Sequence, residues 1–473
     1  MNVSFQYGDS TLSTELPDST VVVRKGETYH DPPTVDPRAA TKEALAKPLG
    51  MSPLAELAKA GMKAVIAFPD RVKGGAHPLS HRRVSIPIII EILLNAGLRK
   101  EDITLLCAAG LHRKNTRQEL YQYLGSEIMD SFWGGRVKMH DAEDPEGIVD
   151  FGFSEYGDVV EVNRLIAEAD LPILVGHAQG NPYGGYSGGY KMLVTGLTTW
   201  QSIRCHHAPS TMYRQDFLPA GIHSHMRKQF DAIGRAIEDG MGKKFFVVDA
   251  VLGSDSQVLG VYAGYAPDVQ RESWKLAEKR TNVYLDMPEK ADVLIFGLPR
   301  SFHYGPGMGT NPILMLQAIG GEITRAYGAF REGGVIIAPS ICDGWFNDEW
   351  FPSYGEIYRC FQEVVDQTEA TRFEEQIAHN QTYIEKYRHA YAYHPWHGMS
   401  MLYMGGIAWK HASAIFIPGA RKPGYARAMG CTATPTIADA MRQAEGYVGR
   451  NPRILALPDL FASVPVHLHI RNR

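Results

Sequence analysis

A glycine-rich stretch, Gly180-Asn181-Pro182-Tyr183-Gly184-Gly185-Tyr186-Ser187-Gly188-Gly189-Tyr190-Lys191, closes on a lysine, and the pair His206-His207 follows shortly after. Five glycines in ten residues permit positive φ and let backbone N–H groups approach a ligand closely. A Gly-rich bend ending in Lys is a common anion cradle, and His is the commonest nitrogen ligand for a metal. The plainer alternative is a tight turn with a surface lysine, followed by two surface histidines. Two further short segments carry reactive types. Asp70-Arg71-Val72-Lys73 offers one carboxylate and two cations, and His112-Arg113 offers an imidazole whose ordinary pKa suits proton transfer near neutrality.

These groups need elements to position them. The apolar, β-branched runs at 63–68, 102–107 and 171–175 suit buried strands, and each leads straight into one of the reactive segments. A helix is expected over 86–96, and Thr116 with Glu119 forms a capping-box pattern at the start of another. Strand and helix alternating through short links predicts an α/β fold with parallel sheets, in which ligands bind beyond the carboxyl ends of the strands. Asp70, His112 and the 180–191 loop are therefore expected to converge on one crevice. Residues 3–7 and 19–23 are expected to be short strands joined by a polar turn. A strand pair is expected at 244–248 and 257–262, then a helix near 267–278. A second α/β unit follows, with strands at 291–297 and 334–338 around a helix at 312–328. Helical stretches near 355–365 and 368–385 and late strands at 413–417 and 453–457 complete it. The expectation is two α/β domains, residues 1–280 and 281–473, with a cofactor and substrate cleft between them.

Composition narrows the classes. A chain of 473 residues with 44% hydrophobic and 21% charged residues builds full cores. A net charge of −4 argues against nucleic acid as a partner. Five scattered cysteines without a CxxC read as reduced thiols, and no signal peptide or spanning segment is evident, so a cytoplasmic, membrane-free protein is expected.

Together, Asp70-Arg71, Gly110-Leu111-His112-Arg113, His140-Asp141, Gly185-Tyr186-Ser187-Gly188-Gly189-Tyr190-Lys191, Val248–Gly264, Gly297-Leu298-Pro299, 333–337 and Trp396 resemble the nickel-dependent lactate racemase family of 2-hydroxyacid racemases and epimerases, in order along nearly the whole chain. The resemblance implies a nickel-pincer nucleotide, that is, nickel pyridinium-3,5-bisthiocarboxylic acid mononucleotide, and partnership with the proteins that make it. It implies that Lys191 joins the cofactor, that His207 ligates nickel, and that Asp70, Ser187, Gly188, Gly189 and Trp396 line the cofactor. It further implies His112 as catalytic acid/base and Arg71 as carboxylate clamp. A lysine that attacks must be neutral, so its pKa is expected to be lowered by burial or nearby charge. Alternatives stay open at each position: an anion-binding or solvated Lys191, a helix-capping His112, an Arg71 ion-paired with Asp70 or another carboxylate, and a core Trp396.

The chain also departs from the family's pattern. Where the family has a second catalytic histidine, ten residues before the lysine, Asn181 stands here, and asparagine accepts no proton at neutral pH. His177, His206 or His303, or a relay through Tyr183, Tyr186 or Tyr190, are the nearby substitutes. Gln317 is followed by Gly320 where the family has a lysine, and Lys73 holds the family's arginine position. Implied substrate contacts are Arg71, Lys73, Gln317, His303 and Tyr304. The expected activity is inversion of a carbinol carbon in a small hydroxy substrate that is not lactate: a larger 2-hydroxyacid, an aldonate or a sugar derivative. A one-base or oxidoreductase-like enzyme on the same cofactor, and a non-catalytic cofactor-binding homologue, are the rivals. A homo-oligomer is left open.

Overall fold

The computed structural model describes residues 1–218 and 221–471. Two six-stranded sheets organise it. The first runs in the order Val258–Tyr265, Phe246–Leu252, Leu171–Ala178, Ala64–Pro69, Ile103–Ala108, Val137–Met139, parallel throughout except for the antiparallel pair at 246–265. The second runs Thr432–Thr434, Ala414–Pro418, Phe330–Ile337, Ala291–Phe296, Ile454–Leu457, Val21–Val22, and is wholly parallel. Every residue of Ala64–Pro69, Leu171–Ala178, Phe246–Leu252 and Ala291–Phe296 is buried. Helices cover both faces of a parallel sheet, so its central strands read as continuous apolar runs rather than alternating ones.

In the first sheet the chain order reverses beside Ala64–Pro69, whose neighbours are Ile103–Ala108 on one side and Leu171–Ala178 on the other. In the second it reverses beside Ala291–Phe296. A crevice opens beyond the strand ends at such a reversal. The loops after the strands at 64–69, 103–108, 171–178, 291–296 and 454–457 all reach one cavity.

Several expectations need correction. Residues 19–23 do not pair with the first strand. Asn2–Gly8 pairs with Ser10–Glu15, and Val21–Val22 joins Leu455–Ala456 at the edge of the second sheet. Val3, Phe5 and Leu16 share a core with Val293 and Ile295. The first 22 residues therefore pack with the second unit rather than with the 1–280 unit expected from sequence. The helix expected at 86–96 spans His81–Asn95, starting after Ser80 with the buried polar residues His81 and Arg82, which carry no apolar helical pattern. The stretch 368–385 is interrupted: Asn380 accepts from the Thr382 and Tyr383 N–H groups and starts a new helix, Gln381–His389. The Thr116–Glu119 capping box is present.

The helices Pro312–Ala326 and His397–His411 pack tightly against each other. A Cβ on Gly320 would lie 2.1 Å from the Met404 carbonyl oxygen. Only glycine allows that approach. Among the described residues no helix is long and apolar enough to cross a membrane.

Candidate active site

The cavity measures about 550 Å³ and lies between the two sheets. Its first wall is the glycine loop. Gly188 and Gly189 have φ of +101° and +57°, the left-handed region that favours glycine. The Gly189 N–H donates to Asp249 Oδ2 at 2.7 Å, and the Arg227 guanidinium donates to the Tyr186 and Gly188 carbonyls. Asp249 is buried, which raises its carboxyl to about 7; the Gly189 N–H and Arg227 only partly offset this. The loop thus delivers Lys191 to the cavity as the first residue of a short helix.

Lys191 is 3% exposed. Its Nζ donates to the Tyr183 carbonyl at 2.8 Å and lies 4.5 Å from the Phe230 ring centre. Among the described residues no carboxylate pairs with it. Burial, then the charges of Lys73 and Arg227, push its pKa well below the ordinary lysine value. An amine in this setting sheds its proton readily and can act as a nucleophile.

His207 ends the helix Trp200–His207 and lines the cavity, with its ring stacked on Tyr183 at 4.8 Å. Its Nδ1 lies 2.6 Å from Nδ1 of His206, which is fully buried behind it. Burial and then the Lys191 charge lower His206, and burial and then the charges of His206 and Lys191 lower His207, both well below their usual range. The two neutral rings share one proton between their Nδ1 atoms. When His207 donates it, His207 Nε2 keeps a lone pair, the state in which imidazole binds metal. Among the described residues no group of three or more His, Cys, Asp or Glu could hold a metal ion.

The opposite wall carries His112. Its Nδ1 lies 2.8 Å from Asp70 Oδ2. Burial alone would raise the Asp70 carboxyl, but His112, Lys73 and Arg71 outweigh it and hold the group below its ordinary value. The carboxylate therefore accepts from Nδ1–H and leaves Nε2 as the basic atom. The helix cap nearby belongs to Thr116 and Glu119, so His112 has no capping role. Arg82, buried at the start of its helix, donates to the Pro69, Asp70 and Gly75 carbonyls and fixes the 69–75 loop. From the second unit, Tyr387 Oη donates to the Gly110 carbonyl and the His394 N–H donates to the Leu111 carbonyl, pinning the His112 strand end.

The remaining sequence candidates divide. Arg71 lies at the cavity, but its Nε pairs with Glu119 at 3.3 Å, Nη2 donates to the Tyr304 carbonyl, and the Trp350 ring stacks on it at 4.9 Å. This is the ion-paired alternative, with Glu119 as partner. Lys73, half-buried, lines the cavity, and among the described residues its Nζ has no ion pair or hydrogen bond. Ser187, Gly188, His177, Asn181, Gln317, His303 and Tyr304 also line it. Asn181 Oδ1 accepts from the Tyr183 N–H at 2.9 Å, a turn-forming bond. His303 is exposed and has φ of +24°. Gly189 is off the wall, committed to Asp249. Trp396 is fully buried behind the wall, tilted against Trp200, while the next residue, His397, faces the cavity. His140 is buried outside the cavity, bonded to the Thr198 carbonyl and Asn163.

Sequence reasoning missed His397 and Arg325. Gln317, Ala318, Gly321 and Arg325 all line the cavity, at spacings that share one helix face. Gly320 faces the neighbouring helix instead. Arg325 makes no hydrogen bond among the described residues; the Glu322 carboxyl stands 3.8 Å from it. The helical spacing from Gln317 was the available signal for Arg325. His397 lies in the aromatic, His-rich stretch 391–403, whose composition suits a ligand but does not single out this residue.

A family description, lactate racemase N-terminal domain, matches residues 7–216. The lactate racemase of Thermoanaerobacterium thermosaccharolyticum is 23% identical over 461 residues, covering 97% of each chain. That of Lactiplantibacillus plantarum is 24% identical over 266 residues, 55% of this chain and 59% of the relative. The solved structure of the Thermoanaerobacterium lactate racemase apoprotein superposes over the full length of both chains with a TM-score of 0.73 at 20% identity. A Thermotoga maritima protein gives 0.56 at 15% identity, covering 93% of this chain and all of that one.

Proposed function

Because the chain belongs to the lactate racemase family, we propose that it inverts the carbinol carbon of a 2-hydroxyacid, with a nickel-pincer nucleotide held by Lys191 and His207 and with His112 moving the hydroxyl proton. The observation that carries this reading is that Lys191, His207 and the His112–Asp70 pair share one cavity between two sheets. The substrate we propose is larger than lactate: a longer 2-hydroxyacid, an aldonate or a sugar derivative.

The residues present fit such a cofactor. A buried amine whose pKa is pushed well below the ordinary lysine value suits covalent attachment. A lone neutral imidazole cannot hold a metal ion by itself, so it suits a metal that arrives with its own sulfur and carbon donors. When bound, the group supplies a hydride acceptor and donor for the carbinol carbon. His112 Nε2 takes the hydroxyl proton, and Asp70 fixes the ring and stabilises the resulting imidazolium. Lys73 and Arg325, from opposite sides of the cleft, supply the cations for the substrate carboxylate, and Gln317, whose Oε1 is buried without a partner, orients a hydroxyl or water. Arg71 acts at second hand, because it is tied to Glu119, a carboxylate it shares with Arg113, and to the Tyr304 carbonyl.

The experiment is to produce the protein with the cofactor-biosynthesis proteins, weigh it intact and offer it a panel of 2-hydroxyacids and aldonates. A mass adduct lost in Lys191→Ala, bound nickel and racemisation are expected. An unmodified mass with no nickel and no turnover refutes the reading. The turn-forming role of Asn181 favours a second reading, a one-base enzyme on the same cofactor; release of a 2-oxoacid without the opposite enantiomer distinguishes it.

A further inference from the structure

Inversion through a ketone requires proton transfer to and from the substrate oxygen in two orientations, and Asn181 serves neither. We propose that His397 is the second proton-handling residue, acting on the enantiomer that His112 does not. This rests on the racemase reading above.

His397 opens the helix His397–His411 and lines the cavity from the second unit. It is 4% exposed, and its Nε2 is buried without a hydrogen-bond partner. A buried polar atom without a partner is costly, so one facing a ligand cavity marks a contact that the ligand completes. Its Nδ1 lies 2.8 Å from Tyr354 Oη. A hydroxyl both donates and accepts, so Tyr354 holds the ring in either protonation state and leaves Nε2 to the substrate. The His397 and His112 rings stand 5.5 Å apart at 84°. The rings of Tyr304 and Tyr393 lie 5.1 and 4.7 Å from His397.

The rivals are excluded by their surroundings. His177 also has a partnerless Nε2, but beyond burial, which lowers it first as it does His397, the charges of Lys73, Arg82, His81 and Lys191 oppose its taking up a proton. His206 is committed to His207 and does not reach the cavity wall. His303 is exposed to water. His397 has no lysine or arginine among the charges that lower it; its opponents are His112, His394 and His303, after burial itself.

The step balances with water as the proton reservoir. With one enantiomer the O–H proton would pass to one imidazole while the bound cofactor takes the C–H hydride and a C=O bond forms. After the ketone turns its other face, the hydride would return to carbon and the second imidazole, protonated beforehand from water, would give its proton to oxygen; the first imidazole then returns its proton to water. The carbonyl bond is about 1.2 Å long, so its oxygen swings through only about 2.5 Å. Two imidazoles in edge contact can serve both ends of that arc.

The test uses cofactor-loaded enzyme and the 2-hydroxyacid that the wild-type protein turns over, each enantiomer offered separately at stoichiometric enzyme, with the 2-oxoacid trapped on quenching. His397→Asn should lower 2-oxoacid formation from one enantiomer by at least about 100-fold and leave the other within a few-fold. His112→Asn should show the opposite preference. Tyr354→Phe, a positioning change, should weaken the same enantiomer as His397→Asn. His397→Gln replaces the asparagine variant if that does not fold. Equal loss with both enantiomers, or none with either, in a folded variant overturns the inference alone. A loaded wild-type protein inert toward every 2-hydroxyacid overturns the racemase reading and this inference with it.

Discussion

Replacing Glu322 with glutamine probes the electrostatics of the cavity's rear wall. Glu322 is fully buried, neither carboxyl oxygen has a hydrogen-bond partner, and Arg325 stands 3.8 Å away. Burial pushes its carboxyl from 4.5 up to about 8, with Arg325 only partly offsetting this. An unfolded chain gives up this proton near pH 4.5, whereas the folded chain keeps it until about pH 8. Between those values the unfolded state binds fewer protons, so stability falls as pH rises. At about 1.4 kcal/mol per pH unit, the loss reaches about 3 kcal/mol at pH 7 and about 5 kcal/mol by pH 8. Glutamine has no proton to lose. Its amide leaves N–H groups unpaired at a cost of about 1–3 kcal/mol, but that offset does not vary with pH. The stability of Glu322→Gln relative to wild type should therefore climb steadily from pH 4.5 to 8 and then level off. Urea midpoints followed by circular dichroism across pH 4.5–9 measure it. A difference that stays flat over this window refutes the reasoning. The same logic reaches binding: below about pH 8 a neutral Glu322 leaves the Arg325 charge to the substrate carboxylate, so KM in the wild type should rise above pH 8 and stay level in the variant.

Asp70→Asn removes the charge that fixes and stabilises the His112 imidazolium; turnover by the loaded enzyme should fall by about 10²–10⁴-fold with little change in KM. His206→Asn removes the ring that holds His207 through their Nδ1 atoms; nickel retention on dialysis against a chelator should drop by about 10–100-fold, while the Lys191 adduct persists. Gly320→Lys should lower the melting temperature rather than improve activity, because its Cβ meets the Met404 carbonyl at 2.1 Å. An unchanged melting temperature would mean that the helix pair gives way easily.

The sequence determined the α/β class, because central strands covered on both faces must be continuous apolar runs, and Ala64–Pro69, Leu171–Ala178 and Ala291–Phe296 are. It also determined the crevice, because parallel strands end on the same side and the reactive residues directly follow those strands. Local pattern carried the Thr116–Glu119 cap and the Gly188-Gly189-Tyr190-Lys191 turn. What it could not determine was which polar side chains turn inward. Arg82 carried no signal in the sequence yet is buried on three carbonyls, and Arg71, for which a clamp and an ion pair both stood open, pairs with Glu119, 48 residues on. Val21–Val22 found its partner more than 400 residues away, at Leu455–Ala456. His397 meets His112 only because the helix that begins with it packs through Gly320 against Pro312–Ala326. Strand and turn formation depends on near neighbours in the chain, so composition and spacing expose it. Ion pairing and burial of a charged group depend on whatever chain arrives from elsewhere, and only the folded structure decides that.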